Sequence, residues 1–289
     1  MVVTVKALAC ELPATLGVPF SRLSVADIRA EAIGRALVDE ISGTTIWRWL
    51  AADAIRPWTQ RSWIFPRDPD FEAKAARVLD LYGRTWQGAR LRPDEYVVSA
   101  DEKTQLQALA RRHPSTAPRP GVCRRVEHEY ERRGTLAYLA AWDVHRAKLF
   151  GRIERTTGVA PFGRLVDEVM AAPPYRSARR VFWVVDNGSS HRGRAAVERL
   201  TATYPNLVLV HLPIHASWLN QVEIYFSVVQ RKVLTPNDFA TLEELAERLL
   251  AFQAHYERVA VPFDWRFTRQ DLAALMARLA GAEAPRMAA

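Results

Sequence analysis

The N-terminal part of the chain repeats apolar residues at three- and four-residue intervals, which predicts helices. Ser24 and Asp27 form a capping-box pattern at the start of the first helix. A turn at Gly43 follows, and Thr44 or Thr45 can cap the second helix. Two helices joined by a short turn that contains glycine predict a helix-turn-helix, although a plain helical hairpin has the same spacing.

The second predicted helix has a polar side suited to the major groove of DNA. Thr45, Arg48 and Trp49 would lie on that side. Trp47 and Leu50 would face the interior of the helix pair. The pattern therefore predicts that this helix contacts DNA.

Three prolines, Pro57, Pro66 and Pro69, exclude a continuous helix after this pair. Between them arginines alternate with aromatic residues, which suits an extended arm on DNA phosphates. An aromatic-rich linker packed on its neighbour explains the composition equally well. A short amphipathic helix then ends at Gly83.

From residue 96 the apolar residues form runs of strand length separated by turns and by helical segments. Strands are predicted at 96–101, 135–143, 148–154, 181–186 and 206–212, and helices at 161–172, at 192–204 and around Glu223. Three successive strands, then alternating strands and helices, predict an antiparallel meander continued by parallel strands. The predicted fold class is α/β, a ribonuclease-H-like mixed five-stranded sheet with flanking helices, preceded by an all-α helix-turn-helix domain.

Three acidic residues lie beside three different apolar runs. Asp101 and Asp186 each close a predicted strand, and Glu223 lies on the predicted helix after the last strand. Taken singly, such residues are most often turn, cap or solvated residues. Together, carboxylates at strand ends and on a following helix can converge on two divalent cations, as phosphoryl transfer requires. Ligands that are all oxygen atoms favour Mg²⁺ or Mn²⁺ over zinc.

The chain is basic, with 40 Lys and Arg residues against 32 Asp and Glu residues and a pI of about 9.8. Eight basic and four acidic residues lie between Glu102 and Arg133, directly after the first carboxylate. We expect a basic loop there, along which a phosphate backbone could lie. The candidate DNA contacts of the whole chain are Thr45, Arg48, Arg56, Arg61, Arg124 and Arg125.

Membrane proteins and zinc proteins are disfavoured. No apolar run approaches the ~20 residues of a membrane span, and the N-terminus makes a poor signal peptide. We therefore expect a cytoplasmic protein with no membrane partner. Cys10 and Cys123, even with His128, supply fewer than the four ligands of a structural zinc site. Reduced thiols are the better interpretation.

Three motifs carry a resemblance to a known family: SADEKT from Ser99, VVDNGSSH from Val184, and HASWLNQVEIYFSVVQRKVLTPNDF from His215. They closely resemble the motifs of bacterial insertion-sequence transposases of the mariner superfamily, which have an Asp-Asp-Glu catalytic triad. The resemblance runs from about Ser21 to Leu272, and the third motif is long and specific.

By this resemblance Asp101, Asp186 and Glu223 are the catalytic triad and the ligands of two Mg²⁺ or Mn²⁺ ions. The residues expected to line the site are Asn187, His191, Asn220 and Gln221. His191 is equally well explained as a structural partner of its loop. The implied activity is cleavage of transposon ends by metal-activated water, followed by attack of the freed 3′-hydroxyl on target DNA, typically at a TA step. The implied partner is double-stranded DNA, bound by a homodimer, and the implied location is the bacterial nucleoid.

The expected domains are a helix-turn-helix domain at 1–56, a linker arm and helix at 57–92, the catalytic core at 93–235 and C-terminal helices at 236–289. Members of the family usually carry two helix-turn-helix units, and only the second is recognised here, so an N-terminally truncated copy is expected. A catalytically silent, truncated remnant that only binds DNA is the alternative function. A ribonuclease acting on RNA–DNA hybrids is disfavoured, because A-form duplexes hide the major groove that a helix-turn-helix reads.

Overall fold

A computed structural model of the chain describes residues 1–60, 66–188 and 194–283. The chain divides into two compact units, Met1–Ile64 and Phe65–Ala289. Within the described ranges no helix combines the length and apolarity needed to cross a bilayer.

The first unit is a bundle of three helices, α1 (Val2–Cys10), α2 (Val25–Gly34) and α3 (Gly43–Ala52). The predicted capping box at Ser24 and Asp27 is present at the start of α2. Each helix contributes apolar side chains to one core, which includes Val5, Leu8, Ile28, Ala32, Ile46 and Leu50. Burial of these side chains holds three short helices that would be unstable alone.

Two details of α3 differ from the predictions. Ser42 caps the helix in place of Thr44 or Thr45, because its extended backbone lets its hydroxyl accept a hydrogen bond from the Thr45 amide at 3.1 Å. Trp47 does not face inward and is 53% exposed. The buried stripe of this short helix consists of Ile46 and Leu50, four residues apart, and Trp47 lies outside it.

The second unit is built on a mixed five-stranded sheet, which confirms the predicted fold class. The strands are β3 (Glu95–Ala110), β4 (Glu131–Asp143), β5 (Lys148–Glu154), β6 (Arg180–Val185) and β7 (Leu207–His211), after a small ribbon of β1 (Thr85–Trp86) and β2 (Ala89–Arg90). The order is β5-β4-β3-β6-β7. Pairing is antiparallel from β5 to β3 and parallel from β3 to β7, as the meander followed by strand–helix alternation predicts.

Helices cover both faces of this sheet. They are α4 (Phe71–Tyr82), α5 (Val159–Ala171), α6 (Arg194–Thr203), α7 (Val222–Lys232), α8 (Leu242–Glu257) and α9 (Arg269–Glu283). Side chains alternate between faces along each strand. Val97 of β3 therefore joins the core formed with α4, α7 and α8, while Val98 joins the core formed with α5. Thr241 and Thr268 cap the starts of α8 and α9, since the hydroxyl of each accepts a hydrogen bond from the amide three residues further on.

The segment after Asp101 is not the predicted loop along its whole length. β3 continues to Ala110 and pairs with a β4 that begins at Glu131, so both strands extend as a long hairpin. Buried Leu106 and Ala108 continue the alternation past the first carboxylate, with register shifts on either side of Leu106. Only the residues between these strands form the basic connection.

Gly151 of β5 lies where no larger residue fits. A Cβ atom there would approach the hydroxyl oxygen of buried Tyr138 to 2.5 Å and its Cε2 to 2.7 Å. We expect Gly151→Ala to destabilise the protein by about 1–3 kcal/mol through overpacking. Gly163 of α5 is the matched control, because a Cβ there meets nothing within 4 Å. Gly163→Ala is expected to stabilise the helix by about 0.5–1 kcal/mol. Denaturant unfolding of both variants measures the change in the free energy of unfolding, which should fall for Gly151→Ala and rise for Gly163→Ala. Destabilisation of both variants would contradict this packing.

Candidate active site

Asp101 and Asp186 lie side by side on two neighbouring strands of the sheet. β3 and β6 are parallel neighbours, and Ser99 pairs with Val184. Asp101 and Asp186 each come two residues after this pair, so the same register places them opposite each other and on the same face. Neighbouring strands are about 4.8 Å apart. Asp186 directly follows the end of β6, whereas Asp101 was predicted to close a strand and instead lies within β3, which continues to Ala110.

The shared face is the one that α7 covers. Asp101 pairs with Ala140 of β4, and Ala140 belongs to the same core as Val184. α7 buries Val222 and Phe226 in that core, and Glu223 in its first turn is partly buried beside them. The three acids thus come from the middle of β3, the end of β6 and the start of α7, and all lie beside one core.

Its surroundings shift the pKa of the Glu223 carboxyl. Burial raises the pKa of the Glu223 carboxyl, Lys103 opposes the rise and Asp186 adds to it. A rise caused by Asp186 means that two negative charges lie close enough to repel each other. Lys103 shares the Asp101 face of β3, since it lies two residues further along the strand.

A buried hydrogen-bond network fixes the start of α7 against the middle of β3. The Asn220 amide donates to the Ala100 carbonyl at 3.0 Å and to Asp101 Oδ2 at 3.2 Å. Its Oδ1 accepts a short hydrogen bond from the Ser99 hydroxyl. The same hydroxyl accepts from the Val222 amide at 3.0 Å. Asn220 is fully buried, so it holds Asp101 and α7 in position instead of lining an open site.

Each aspartate is also held by its own backbone. The Glu102 amide donates to Asp101 Oδ1, and the Gly188 amide donates to Asp186 Oδ1, both at 2.7 Å. The Asn187 side chain donates to the Leu212 carbonyl at 2.8 Å, which ties the turn after β6 to the end of β7. These bonds restrict both carboxylates before any ligand is present, which lowers the entropic cost of binding one.

The other residues predicted to line the site have different placements. Asn187 lines a cavity of about 620 Å³ together with Asp186 and Lys74. Gln221 is 1% exposed, and its Oε1 accepts no hydrogen bond within the described part of the chain. It is therefore buried and does not line an open site. His191 lies outside the described residues.

The donor set fits hard divalent cations, because its ligands are carboxylate oxygens. Partly buried Glu223 beside Asp186 carries a repulsion that a bound cation would relieve. Across residues 1–60, 66–188 and 194–283, no three His, Cys, Asp or Glu side chains are already arranged as closely as metal ligands.

The candidate DNA contacts are distributed over both units. In the first unit, Arg48 and Arg56 are exposed, whereas Thr45 is partly buried and its hydroxyl lies 2.8 Å from that of Ser42. In the second unit, Arg124 and Arg125 are exposed on the connection between β3 and β4. Arg61 lies outside the described residues.

Sequence patterns missed Ser99 and Lys103 as functional residues. Both lie on the Asp101 face of β3, one two residues before it and the other two residues after it. The two-residue alternation of the strand was the available signal. It indicates a shared face but not a partner, and both the Ser99–Asn220 hydrogen bond and the effect of Lys103 on the Glu223 pKa depend on where α7 packs.

The model of the DDE superfamily endonuclease family matches residues 96–246, just over half of the chain, and spans all three acids. Curated protein sequences give no match.

Solved structures share the fold at low identity. A pre-cleavage Mos1 transpososome is 16% identical, with 92% of this chain and 80% of that chain covered and a TM-score of 0.51. The Mos1 mariner paired end complex with Mn is 16% identical, with 90% and 78% covered and a TM-score of 0.50. The Mos1 transposase paired-end complex with the left transposon end is 17% identical, with the same coverage and TM-score. With the family match and the sheet topology, these likenesses confirm the expected fold, and the chain belongs to the DDE superfamily of endonucleases.

Proposed function

We propose that this protein is a DNA transposase, and that Asp101, Asp186 and Glu223 are its catalytic residues. The observation that carries the proposal is the placement of these acids. The neighbouring parallel strands β3 and β6 bring Asp101 and Asp186 to one face of the sheet, and Asp186 raises the pKa of the partly buried Glu223 carboxyl. Carboxylates arranged in this way suit cation-assisted phosphoryl transfer.

Asp101, Asp186 and Glu223 would hold two Mg²⁺ or Mn²⁺ ions. When bound, such ions supply an activated water and stabilise the leaving oxygen of an in-line displacement. The chain's own contribution is placement. Asn220 and the Glu102 amide fix the two oxygens of Asp101, and the Gly188 amide fixes Asp186. No covalent protein–DNA intermediate is needed, because water and then a DNA 3′-hydroxyl act as nucleophiles.

Double-stranded DNA is the proposed partner. The similar Mos1 structures are paired-end complexes and transpososomes, and two of them contain Mn or Mg. We extend this to transposon ends held by a homodimer, a TA target step, and action on the bacterial chromosome in the cytoplasm. The three-helix unit and the exposed Arg48, Arg56, Arg124 and Arg125 would contact the DNA backbone.

We also propose how the chain divides its work. A helix-turn-helix domain at 1–56 would bind DNA, and an arm and helix at 57–92 would follow it. A catalytic core at 93–235 would be supported by helices at 236–289.

A joining assay tests the proposal. Linear duplexes that carry the DNA flanking the protein's own coding sequence are incubated with a target plasmid and Mg²⁺ or Mn²⁺. We expect duplexes covalently joined to the plasmid. Nicking without joining would favour a simple endonuclease. Binding without cleavage or joining would favour a catalytically silent remnant.

Asn220 is proposed to position Asp101. We expect Asn220→Ala to lower the rate of DNA cleavage about 10–100-fold, the usual effect of removing a group that orients a metal ligand. Asn206→Ala is the matched control, because its amide also bridges two carbonyl groups, those of Tyr175 and Ala178. That control is expected to lose stability but to keep its activity per folded molecule. Equal activity losses in the two variants would contradict the positioning role.

A further inference from the structure

A basic pocket lies at the C-terminal end of α7, away from the carboxylates. Its cavity measures about 370 Å³ and lies between the end of α7, the start of α8 and the connection between β3 and β4. Four of its lining side chains are cationic, Arg111, Arg124, Lys232 and Arg248. Two are carboxylates, Asp238 and Glu244. We propose that this pocket, here called the α7 pocket, binds a phosphate group of the DNA backbone.

Two of the cations are available to a ligand. Arg124 and Lys232 are exposed, and neither forms an ion pair with a carboxylate in the described part of the chain. Among the described residues, the Arg111 side chain donates its hydrogen bonds to carbonyl oxygens, including those of Glu127 at 2.7 Å and Asn237 at 3.0 Å. Carbonyl partners leave its positive charge uncompensated. The pocket therefore keeps an excess of positive charge, which favours an anion.

The two carboxylates of the pocket are already engaged by hydrogen bonds. Asp238 accepts from the Ser115 hydroxyl at 3.0 Å, and Glu244 accepts from the Ala240 amide at 2.8 Å. The remaining lining residues include Thr235 and Pro236, and the apolar side chains of Val233 and Phe239 are almost fully buried beneath them.

The position of the pocket favours a DNA phosphate over other anions. Glu223 lies in the first turn of α7, and Lys232 is the last residue of that helix. Nine helical steps correspond to about 14 Å, which is the rise of about four base pairs of duplex DNA. A duplex with one phosphate at the carboxylates could therefore place another at the α7 pocket. This step depends on the proposed function, because that function supplies the DNA.

The test measures how salt weakens DNA binding, without divalent metal and with a short random-sequence duplex. The double variant Lys232→Gln/Arg124→Gln removes the two available cations. Affinity falls as salt rises, and losing one phosphate contact makes the slope of log affinity against log salt less steep by about 0.9. We expect that decrease, with an affinity loss of about threefold to tenfold at low salt. The matched control is Arg231→Gln, which changes an exposed residue beside Lys232 that does not line the pocket. It should retain the wild-type slope.

The outcomes separate this inference from the proposed function. Equal slopes in the double variant and the wild type, or the same decrease in the control, would overturn it. The inference would also be overturned if the pocket binds a free anion and not DNA. In that case inorganic phosphate would raise the melting temperature of the wild type but not of the double variant, and the salt slopes of DNA binding would be equal. The binding assay contains no metal, so its result does not depend on cleavage. A wild type that binds DNA in this assay but does not cleave it when Mg²⁺ or Mn²⁺ is added would contradict the proposed function alone.

Discussion

The Glu223→Gln protein is expected to lose DNA cleavage by about three orders of magnitude, since a metal-based contribution of about 4 kcal/mol to the barrier corresponds to that factor. Its stability is expected to equal or exceed that of the wild type. Burial and the neighbouring Asp186 both raise the pKa of Glu223, so the charged carboxylate is disfavoured where it lies. A neutral amide of the same shape removes that repulsion but ligates a cation poorly.

Glu243→Gln is the matched control for this change. Both glutamates occupy the second position of a helix, Glu223 in α7 and Glu243 in α8, but Glu243 is exposed and distant from the aspartates in sequence. The control should retain full activity and lose at most a few tenths of a kcal/mol of favourable interaction with the helix dipole. Cleavage rates and melting temperatures of both variants are measured. A Glu223→Gln protein that still cleaves at the wild-type rate would exclude this glutamate from the chemistry.

Trp142→Ala is expected to lower the free energy of unfolding by about 3–5 kcal/mol, the cost of truncating a fully buried aromatic side chain. Trp142 is 0% exposed in β4, and its ring lies 4.7 Å from that of Phe263. This core also supports α7, so its loss loosens the platform of the candidate site. Urea unfolding followed by circular dichroism measures the change.

Two comparisons sharpen the Trp142 result. Trp142→Phe should cost much less than the alanine substitution, because the ring is largely retained and the indole Nε1 has no hydrogen-bond partner in the described residues. Trp218→Ala should cost about 0.5–1.5 kcal/mol, since Trp218 is 38% exposed and contacts Phe267 edge-on. Similar losses for Trp142→Ala and Trp218→Ala would contradict the packing described here.

The sheet and its acids were predictable because local patterns determine them. Continuous apolar runs predicted the central strands, and the order of strands and helices predicted the mixed topology. The end of an apolar run predicted the position of Asp186 correctly, whereas Asp101 lies within β3 and does not close it. The length of the β3–β4 hairpin was not predictable to the same degree, because polar and charged residues obscure the alternation after Asp101. Leu106 and Ala108 are the apolar residues that indicate a strand beyond Asp101.

Contacts between distant segments could not be read from the sequence. Asn220 bonds to Ser99 and Asp101, which precede it by more than a hundred residues, and nothing in its local pattern names those partners. The α3 cap was mispredicted for a more local reason. Ser42, Thr44 and Thr45 all have hydroxyl groups that can cap a helix, and only the backbone conformation of Ser42 selects it.

The most direct test of the central claim is cleavage of supercoiled DNA with and without Mn²⁺ by the wild type and by Asp186→Asn. Asp186 follows directly on β6, and the Gly188 amide holds its carboxylate beside Asp101. Both proteins are compared at equal DNA occupancy, so that only the chemical step differs. Metal-dependent nicking by the wild type that is lost in Asp186→Asn is the predicted result. Equal nicking by both proteins, or nicking that needs no metal, would contradict a metal site formed by these carboxylates.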